Sequence, residues 1–253
     1  MSLSVTPVAC LRDNYAYLIV DREAGLCAVV DPSEPEPVRR ALAEAGVKLT
    51  HILNTHHHWD HTGGNPALKE EFGARVVGPA KDRERIPAID DGVSEDAPWR
   101  FGSHDVSILE IPAHTRGHIA FVFDGFAFTG DTLFAMGCGR LFEGDPAMMW
   151  ASLSKLMRLP DDTQIYCGHE YTLNNGRFAM TLEPGNAALV ARMKDVEALR
   201  AQNKPTIPST MKLEKETNPF LRPSSPEIRR TLNMEQANDV DVFGEMRRRK
   251  DSF

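Results

Sequence analysis

The stretch Thr55-His56-His57-His58-Trp59-Asp60-His61 places four imidazoles and one carboxylate within seven residues. Imidazole and carboxylate groups are the ligands that zinc and similar divalent metals prefer. If the chain is extended across residues 56–58, alternate side chains point to the same side. His56 and His58 can then bind one metal ion while His57 points elsewhere. Asp60 and His61 follow a turn and are candidates for a second ion, so the stretch predicts a metal site.

Four ligands in one loop do not complete two metal sites, and three further candidates follow apolar strands elsewhere in the chain. His114 comes after a strand that ends at Ile111, Asp131 lies in Thr129-Gly130-Asp131-Thr132, and His169 lies in Cys167-Gly168-His169-Glu170. Each is close to a glycine, which lets the backbone approach a crowded centre. We therefore expect these three residues to join the histidine-rich stretch.

Strand and helix patterns alternate through the first two thirds of the chain. Short apolar or β-branched runs predict strands, and apolar residues at helical spacing predict helices. The predicted strands are 15–20, 26–30, 51–54, 75–78, 106–111, 119–123, 126–129 and 164–167, and the predicted helices are 35–45, 67–72 and 146–156. Polar loops rich in His, Asp and Gly follow the strands. This alternation favours a mixed α/β sandwich.

The character of the sequence changes near residue 172. Residues 187–202 show helical spacing of apolar side chains, five prolines punctuate the following segment, and the chain closes on a basic run. We therefore predict a metal-binding domain over residues 1–172 and a mainly helical C-terminal domain over residues 173–253.

Composition excludes several classes of partner. The formal net charge of −7 argues against a nucleic-acid partner, which usually requires a clustered basic face. No stretch approaches the roughly 18 apolar residues that span a bilayer, and the first residues lack the pattern of a signal peptide. The four cysteines form no CxxC pair. We expect a cytoplasmic monomer whose partner is a small molecule rather than a nucleic acid or a membrane.

The histidine-rich stretch resembles the THxHxDH signature of the metallo-β-lactamase superfamily, and His114, Asp131 and His169 follow in that family's order. The resemblance implies a four-layer αββα sandwich with a C-terminal, mainly helical, substrate-binding part. It also implies two metal sets with one shared residue. The sets are His56, His58 and His114 for the first ion, Asp60, His61 and His169 for the second, and Asp131 bridging both.

A narrower resemblance covers nearly the whole chain. Residues 55–65 (THHHWDHTGGN), 137–144 (GCGRLFEG), 166–175 (YCGHEYTLNN) and 218–222 (NPFLR), together with the closing RRRKDSF, resemble the hydroxyacylglutathione hydrolase, or glyoxalase II, family. The resemblance implies hydrolysis of S-D-lactoylglutathione to D-lactate and glutathione, the second step of methylglyoxal detoxification.

The same resemblance implies which residues bind the glutathione part of the substrate. They are Arg140, Phe142, Tyr171, Arg247 and Lys250. The chain departs from the family pattern at three positions. Ala113 stands where the family usually has Gly, Arg140 where Lys is common, and Phe142 where Tyr is common. Arg keeps the positive charge but changes its geometry, and Phe lacks a hydroxyl hydrogen bond.

Thioester hydrolysis suits such a site on chemical grounds. Metal binding lowers the pKa of water from about 15.7 toward about 7, and a thiolate with a pKa near 8.5 departs with little acid assistance. Asp60 and Asp131 are the expected catalytic carboxylates, Asp60 by orienting the attacking oxygen. Two divalent ions are expected per chain, with zinc as the first choice and iron or manganese as alternatives.

Two other interpretations of the sequence assign the chain a different function. The first is another enzyme on the same fold, such as a persulfide dioxygenase with a single iron or a lactonase. The second is a nucleic-acid-processing member of the superfamily or a non-catalytic binding module. The complete second ligand set of Asp60, His61 and His169 argues against the single-iron enzyme, and the acidic charge argues against the nucleic-acid-processing member.

Overall fold

A computed structural model describes residues 3–253, and the chain divides into two compact units. The first unit holds residues 3–110, Gly117–Asp124 and Phe128–Gly130. The second unit holds Ile111–Arg116, Gly125–Ala127 and 131–253.

The first unit contains a six-stranded sheet in which the strands follow one another in chain order. β1 to β3 are antiparallel, and β3 to β6 are parallel. The strands are β1 Ser4–Cys10, β2 Asn14–Asp21, β3 Leu26–Val30, β4 His51–Leu53, β5 Arg75–Pro79 and β6 Asp91–Val93. The helices between them are α1 Pro35–Ala45, α2 Trp59–Thr62 and α3 Asn65–Phe72, and Ala80–Asp82 forms a 3-10 turn.

Strands β7 Trp99–Phe101, β8 His104–Glu110, β9 Ile119–Phe123 and β10 Phe126–Gly130 follow. They lie side by side in the order β10, β9, β8, β7, and the last three residues of β10 belong to the first unit. β7 and β9 are both antiparallel to β8. The predicted strands and helices of this part are confirmed, with ends that shift by one or two residues.

Local sequence explains where α1 begins and ends. Pro35 opens the helix at a position where its missing N–H costs nothing, and Gly46 ends it with a left-handed φ of 65°. Val38 and Leu42 face the apolar core that β2, β3 and β4 share, where Leu18, Val29 and Ile52 are fully or almost fully buried. This core anchors the carboxyl ends of β3 and β4, from which the histidine-rich stretch departs.

The second unit is mainly helical. Its helices are α4 Pro146–Leu156, α5 Thr172–Leu182, α6 Ala187–Ala201, α7 Met211–Thr217, α8 Pro226–Leu232 and α9 Asp239–Asp251, and Pro219–Leu221 forms a 3-10 turn. Two short antiparallel pairs join β11 Leu133–Phe134 to β12 Gly137–Cys138, and β13 Gln164–Cys167 to β14 Ser209–Thr210. The predicted helices α4 and α6 are confirmed. Helices α5, α7, α8 and α9 were not predicted.

Side-chain caps explain several of these helices. Asp145 accepts a hydrogen bond from the backbone N–H of Met148 at the start of α4, and Asn186 and Asn238 cap α6 and α9 in the same way. Such caps satisfy amides that have no partner within the helix. Among residues 3–253, no helix combines the length and apolar character that a membrane span requires.

Candidate metal centre

The first unit gathers four predicted ligands, His56, His58, Asp60 and His61, which we call the first half-site. The stretch leaves β4 at Asn54 and enters α2 at Trp59. His56 Nε2 lies 3.1 Å from His58 Nδ1, as the expected alternation of side chains requires. His57 points elsewhere, and its Nδ1 lies 3.1 Å from a carboxylate oxygen of the buried Asp82.

A buried carboxylate that sequence reasoning missed orders the first half-site. Asp31 directly follows β3, and its Oδ2 accepts a 2.6 Å hydrogen bond from the Thr55 hydroxyl. Thr55 has thereby donated its only hydroxyl proton, so at 3.0 Å its oxygen accepts from His56 Nδ1. His61 Nδ1 lies 3.2 Å from the same Asp31 oxygen. Asp31 thus fixes both imidazoles with protonated Nδ1 and leaves Nε2 as the lone-pair nitrogen, the form that binds metals.

Asp60 is held by a side chain of β2. Asn14 Nδ2 donates to the main-chain oxygen of Asp60 and to its Oδ2, each at 3.1 Å. The same carboxylate oxygen lies 3.6 Å from His61 Nε2. Asp60 and His61, two of the three predicted ligands of the second metal set, therefore place their ligand atoms close together.

The second unit gathers the other three predicted ligands, His114, Asp131 and His169, which we call the second half-site. His114 Nε2 lies 3.5 Å from Asp131 Oδ2, and His169 Nε2 lies 3.3 Å from the same oxygen. His114 Nδ1 lies 3.0 Å from the carbonyl oxygen of Arg140. Because a carbonyl only accepts, Nδ1 carries a proton, and in the neutral imidazole Nε2 then presents its lone pair to the carboxylate.

These distances fit a shared metal ion. Two ligands bound to one tetrahedral zinc at about 2.0–2.1 Å lie roughly 3.3 Å from each other. The His56–His58 and His169–Asp131 ligand atoms are 3.1 and 3.3 Å apart. A lone-pair nitrogen that faces a carboxylate oxygen is repelled by it unless a cation or a proton lies between them. Each half-site therefore has the donor chemistry and spacing of a divalent metal site.

Three positions around the ligands have a close backbone approach or an unusual backbone conformation. Gly130 has a φ of 47°, and a Cβ there would lie 2.3 Å from the Thr55 hydroxyl. A Cβ at Gly139 would lie 1.9 Å from the carbonyl oxygen of Asp131. Ala113, where the family usually has Gly, has a φ of 139°. That backbone conformation is strained for a residue with a Cβ, which explains the family preference.

The five predicted substrate-binding residues all lie in the second unit, but their environments differ. Phe142 is exposed, with its ring 5.1 Å from that of His114. Tyr171 is stacked on His169 at 4.6 Å with its ring partly exposed. Arg140 is exposed, with Nε 3.8 Å from the carboxylate of Asp251. These three side chains surround the second half-site or project into solvent, where a ligand can reach them.

Arg247 and Lys250 sit on α9. Arg247 is buried, and its guanidinium donates to the Cys138 carbonyl at 2.7 Å and to Asp251 at 3.0 Å. The Lys250 ammonium lies 5.1 and 5.6 Å from the ring centres of Phe253 and Phe178. Burial, reinforced by the charges of Arg247 and Arg140, lowers the pKa of Lys250 to about 8. Whether these residues bind substrate stays a prediction.

Comparison with known families decides the classification. The metallo-beta-lactamase superfamily matches residues 11–169, and the hydroxyacylglutathione hydrolase C-terminus matches residues 170–253. A hydroxyacylglutathione hydrolase of Methylococcus capsulatus is 51% identical over 99% of both chains. The chain belongs to the hydroxyacylglutathione hydrolase family. The predicted family, metallo-β-lactamase fold and hydrolase class are therefore confirmed.

Solved structures agree with the fold. The crystal structure of ETHE1 from Myxococcus xanthus matches with a TM-score of 0.67 and 25% identity over 98% of both chains. A protein named TTHA1623, solved in a di-iron-bound form, matches with a TM-score of 0.64 and 26% identity over 85% of this chain and all of its own. Metal binding is thus supported by the superfamily and by the His and Asp groups described above.

Proposed function

We propose that this chain hydrolyses S-D-lactoylglutathione, and S-2-hydroxyacylglutathiones in general, to the 2-hydroxy acid and glutathione. The observation that carries the proposal is the match, at about half identity over nearly the full length, to a protein named for this reaction. The match includes the C-terminal part, residues 170–253, which supports a division at residue 172 into a metal-binding and a glutathione-binding part.

We further propose that the two half-sites together hold two divalent ions, with zinc as the expected metal. The first set is His56, His58 and His114, the second is Asp60, His61 and His169, and Asp131 is shared. The convergent ligand atoms and the protonated Nδ1 positions within each half-site support this assignment. Four free, buried cysteines suit the reducing cytoplasm. A monomer without nucleic-acid or membrane partners is part of the same proposal.

The protein's own side chains prepare the attack on the thioester. Divalent metal ions at such a site lower the pKa of water toward about 7 and polarise a carbonyl oxygen. Asn14 holds the Asp60 carboxylate, which orients the attacking oxygen toward the carbonyl carbon. The C–S bond then breaks, and the sulfur leaves as a thiolate. A thiol pKa near 8.5 makes a dedicated general acid unnecessary.

Relative specificity tests the proposed substrate. The protein is expected to hydrolyse S-D-lactoylglutathione with a far larger kcat/KM than a β-lactam or a phosphodiester, because residues 170–253 match the family's C-terminus. Steady-state kinetics with the three substrates measure this. A larger kcat/KM for either of the other two would assign the chain to a different activity within the superfamily.

The lowered pKa of Lys250 leads to a second prediction, which concerns the pH dependence of KM. If its ammonium binds a glutathione carboxylate, that contact is present below about pH 8 and is lost as the amine deprotonates above it. A charge-assisted hydrogen bond contributes about 1.5–3 kcal/mol. The charged fraction of a group with a pKa of about 8 falls about tenfold between pH 7 and pH 9, so KM is expected to rise by roughly five- to tenfold over that range. The contact does not involve the reacting atoms, so kcat is spared.

Two variants of Lys250 isolate its contribution to KM. Lys250→Ala should have a raised KM that no longer changes over this pH range. Lys250→Arg keeps its charge to much higher pH, so its KM should stay flat and lower than that of the Ala variant. A wild-type KM that does not change with pH, or the same rise in Lys250→Ala, would remove Lys250 from the substrate site.

A further inference from the structure

The β11–β12 hairpin, residues 133–138, is held by side chains from the C-terminal segment. Asn218 Nδ2 donates to the carbonyls of Phe134 and Gly137, at 3.1 and 2.9 Å. Asn175 Nδ2 donates to the Ala135 carbonyl at 3.1 Å. Glu214 accepts a hydrogen bond from the Met136 amide, and Arg247 donates to the Cys138 carbonyl. A hairpin whose strands are only two residues long has little stability of its own. These contacts therefore determine the position of the hairpin.

Glu214 is the fully buried centre of this arrangement. Its Oε2 accepts from the Met136 amide at 2.9 Å and from Asn218 Nδ2 at 3.0 Å. Its Oε1 accepts from the Arg192 guanidinium at 2.6 Å and from the Ser209 hydroxyl. Both carboxylate oxygens therefore face only donors. A buried ion pair contributes little net stability, so its value here lies in the geometry that it fixes.

The hairpin connects directly to two predicted metal ligands. Asp131 lies two residues before it, and Gly139 follows it with its amide bonded to the Thr132 carbonyl at 3.2 Å. The next residue, Arg140, supplies the carbonyl that accepts from His114 Nδ1. The backbone at Gly139 packs directly against that at Asp131, because a Cβ at Gly139 would lie 1.9 Å from the Asp131 carbonyl oxygen. A displaced hairpin would move the Asp131 backbone and turn the His114 ring.

We propose that Glu214 and Asn218 are positioning residues for the second half-site, which they control through the β11–β12 hairpin. The C-terminal segment then sets metal affinity as well as substrate affinity. The proposal rests on the metal binding proposed above. Groups that orient metal ligands typically change metal affinity by about 10–100-fold when they are altered.

Glu214→Gln is the direct test. The amide has the shape of the carboxylate, but its NH2 group must face a donor on one side or the other. Zinc affinity, measured by competition with a chromophoric chelator, is expected to fall ten- to a hundredfold for at least one ion. KM for S-D-lactoylglutathione in the zinc-saturated protein is expected to change less than threefold.

Glu183→Gln is the matched control. Glu183 is also a buried carboxylate of the second unit that pairs with an arginine, Arg222, and it accepts from Ser225 and Asn186. Arg222, Ser225 and Asn186 do not belong to the hairpin. Both variants should lower the melting temperature of the metal-free protein, but only Glu214→Gln should weaken zinc binding. Equal weakening by the two would reduce the effect to general destabilisation and overturn the proposal.

Asn218→Ser provides a second, smaller change. Serine can still cap the 3-10 turn at Phe220, as the Asn218 side-chain oxygen does now, but it cannot reach the Phe134 and Gly137 carbonyls. Zinc affinity should again fall by about tenfold. Wild-type affinity in this variant, or in a folded Glu214→Gln, would contradict the positioning role while leaving the proposed function intact. A wild-type protein that binds no zinc would instead contradict both the positioning role and the proposed zinc site.

Discussion

Replacing His58 or Asp131 by Ala is expected to abolish metal binding and thioester hydrolysis together. His58 belongs to the first half-site, where its Nδ1 lies 3.1 Å from His56 Nε2. Asp131 is the residue on which both imidazoles of the second half-site converge. Metal ions contribute several kcal/mol to the stabilisation of the transition state, and each 1.36 kcal/mol is tenfold in rate. We expect kcat/KM to fall by about a thousandfold or more.

Matched variants show whether the loss is specific to the ligands. His57→Ala removes a histidine from the same stretch, but one that faces Asp82, so it should retain both metal and most activity. Asp145→Asn changes an acidic residue that caps α4. Elemental analysis and kinetics on the four proteins are read together. Full activity in His58→Ala or Asp131→Ala, or metal loss in His57→Ala as large as in His58→Ala, would show that the ligand assignment is wrong.

The sequence alone predicts the parts of the site that a local pattern encodes. Alternation along an extended chain places His56 and His58 on one side and His57 on the other, and the structure shows this arrangement. The pairing of a strand end with a nearby glycine also predicts Asp131 as a ligand, and the crowding at Gly130 gives the physical reason for that glycine.

Contacts between distant positions were not predictable in this way. Asp31 lies 24 residues before Thr55 in the sequence, and their hydrogen bond depends on β3 and β4 being neighbours in the sheet. A signal was present, because Asp31 follows an apolar strand as Asp131 does. On its own, however, Asp31-Pro32-Ser33 has the composition of an ordinary turn.

The C-terminal segment shows a second limit of sequence reasoning. Five prolines punctuate residues 205–226, and no individual helix was predicted there. In the structure α7 forms between Pro208 and Pro219, and α8 begins at Pro226. The closing basic run belongs to α9, where Arg247 is buried against the Cys138 carbonyl. Charge alone indicates an exposed residue, and only tertiary packing reveals that this guanidinium is held by backbone and by Asp251.

Metal removal is expected to have an effect as large as loss of a ligand, and it changes no residue of the protein. The wild-type protein freed of metal by a chelator is expected to lose its thioester hydrolysis by about a thousandfold or more, since water without a metal ion keeps a pKa of about 15.7. The fold should survive, because the apolar core of the first unit contains no predicted ligand. Circular dichroism before and after chelation checks this point.

Titration of the metal-free wild-type protein with zinc, followed by hydrolysis of S-D-lactoylglutathione, tests the central claim most directly. The two half-sites predict that activity returns with added zinc and reaches its plateau at two equivalents per chain. Full activity in the metal-free protein, or a plateau at one equivalent with no further ion bound, would contradict the proposed two-metal site.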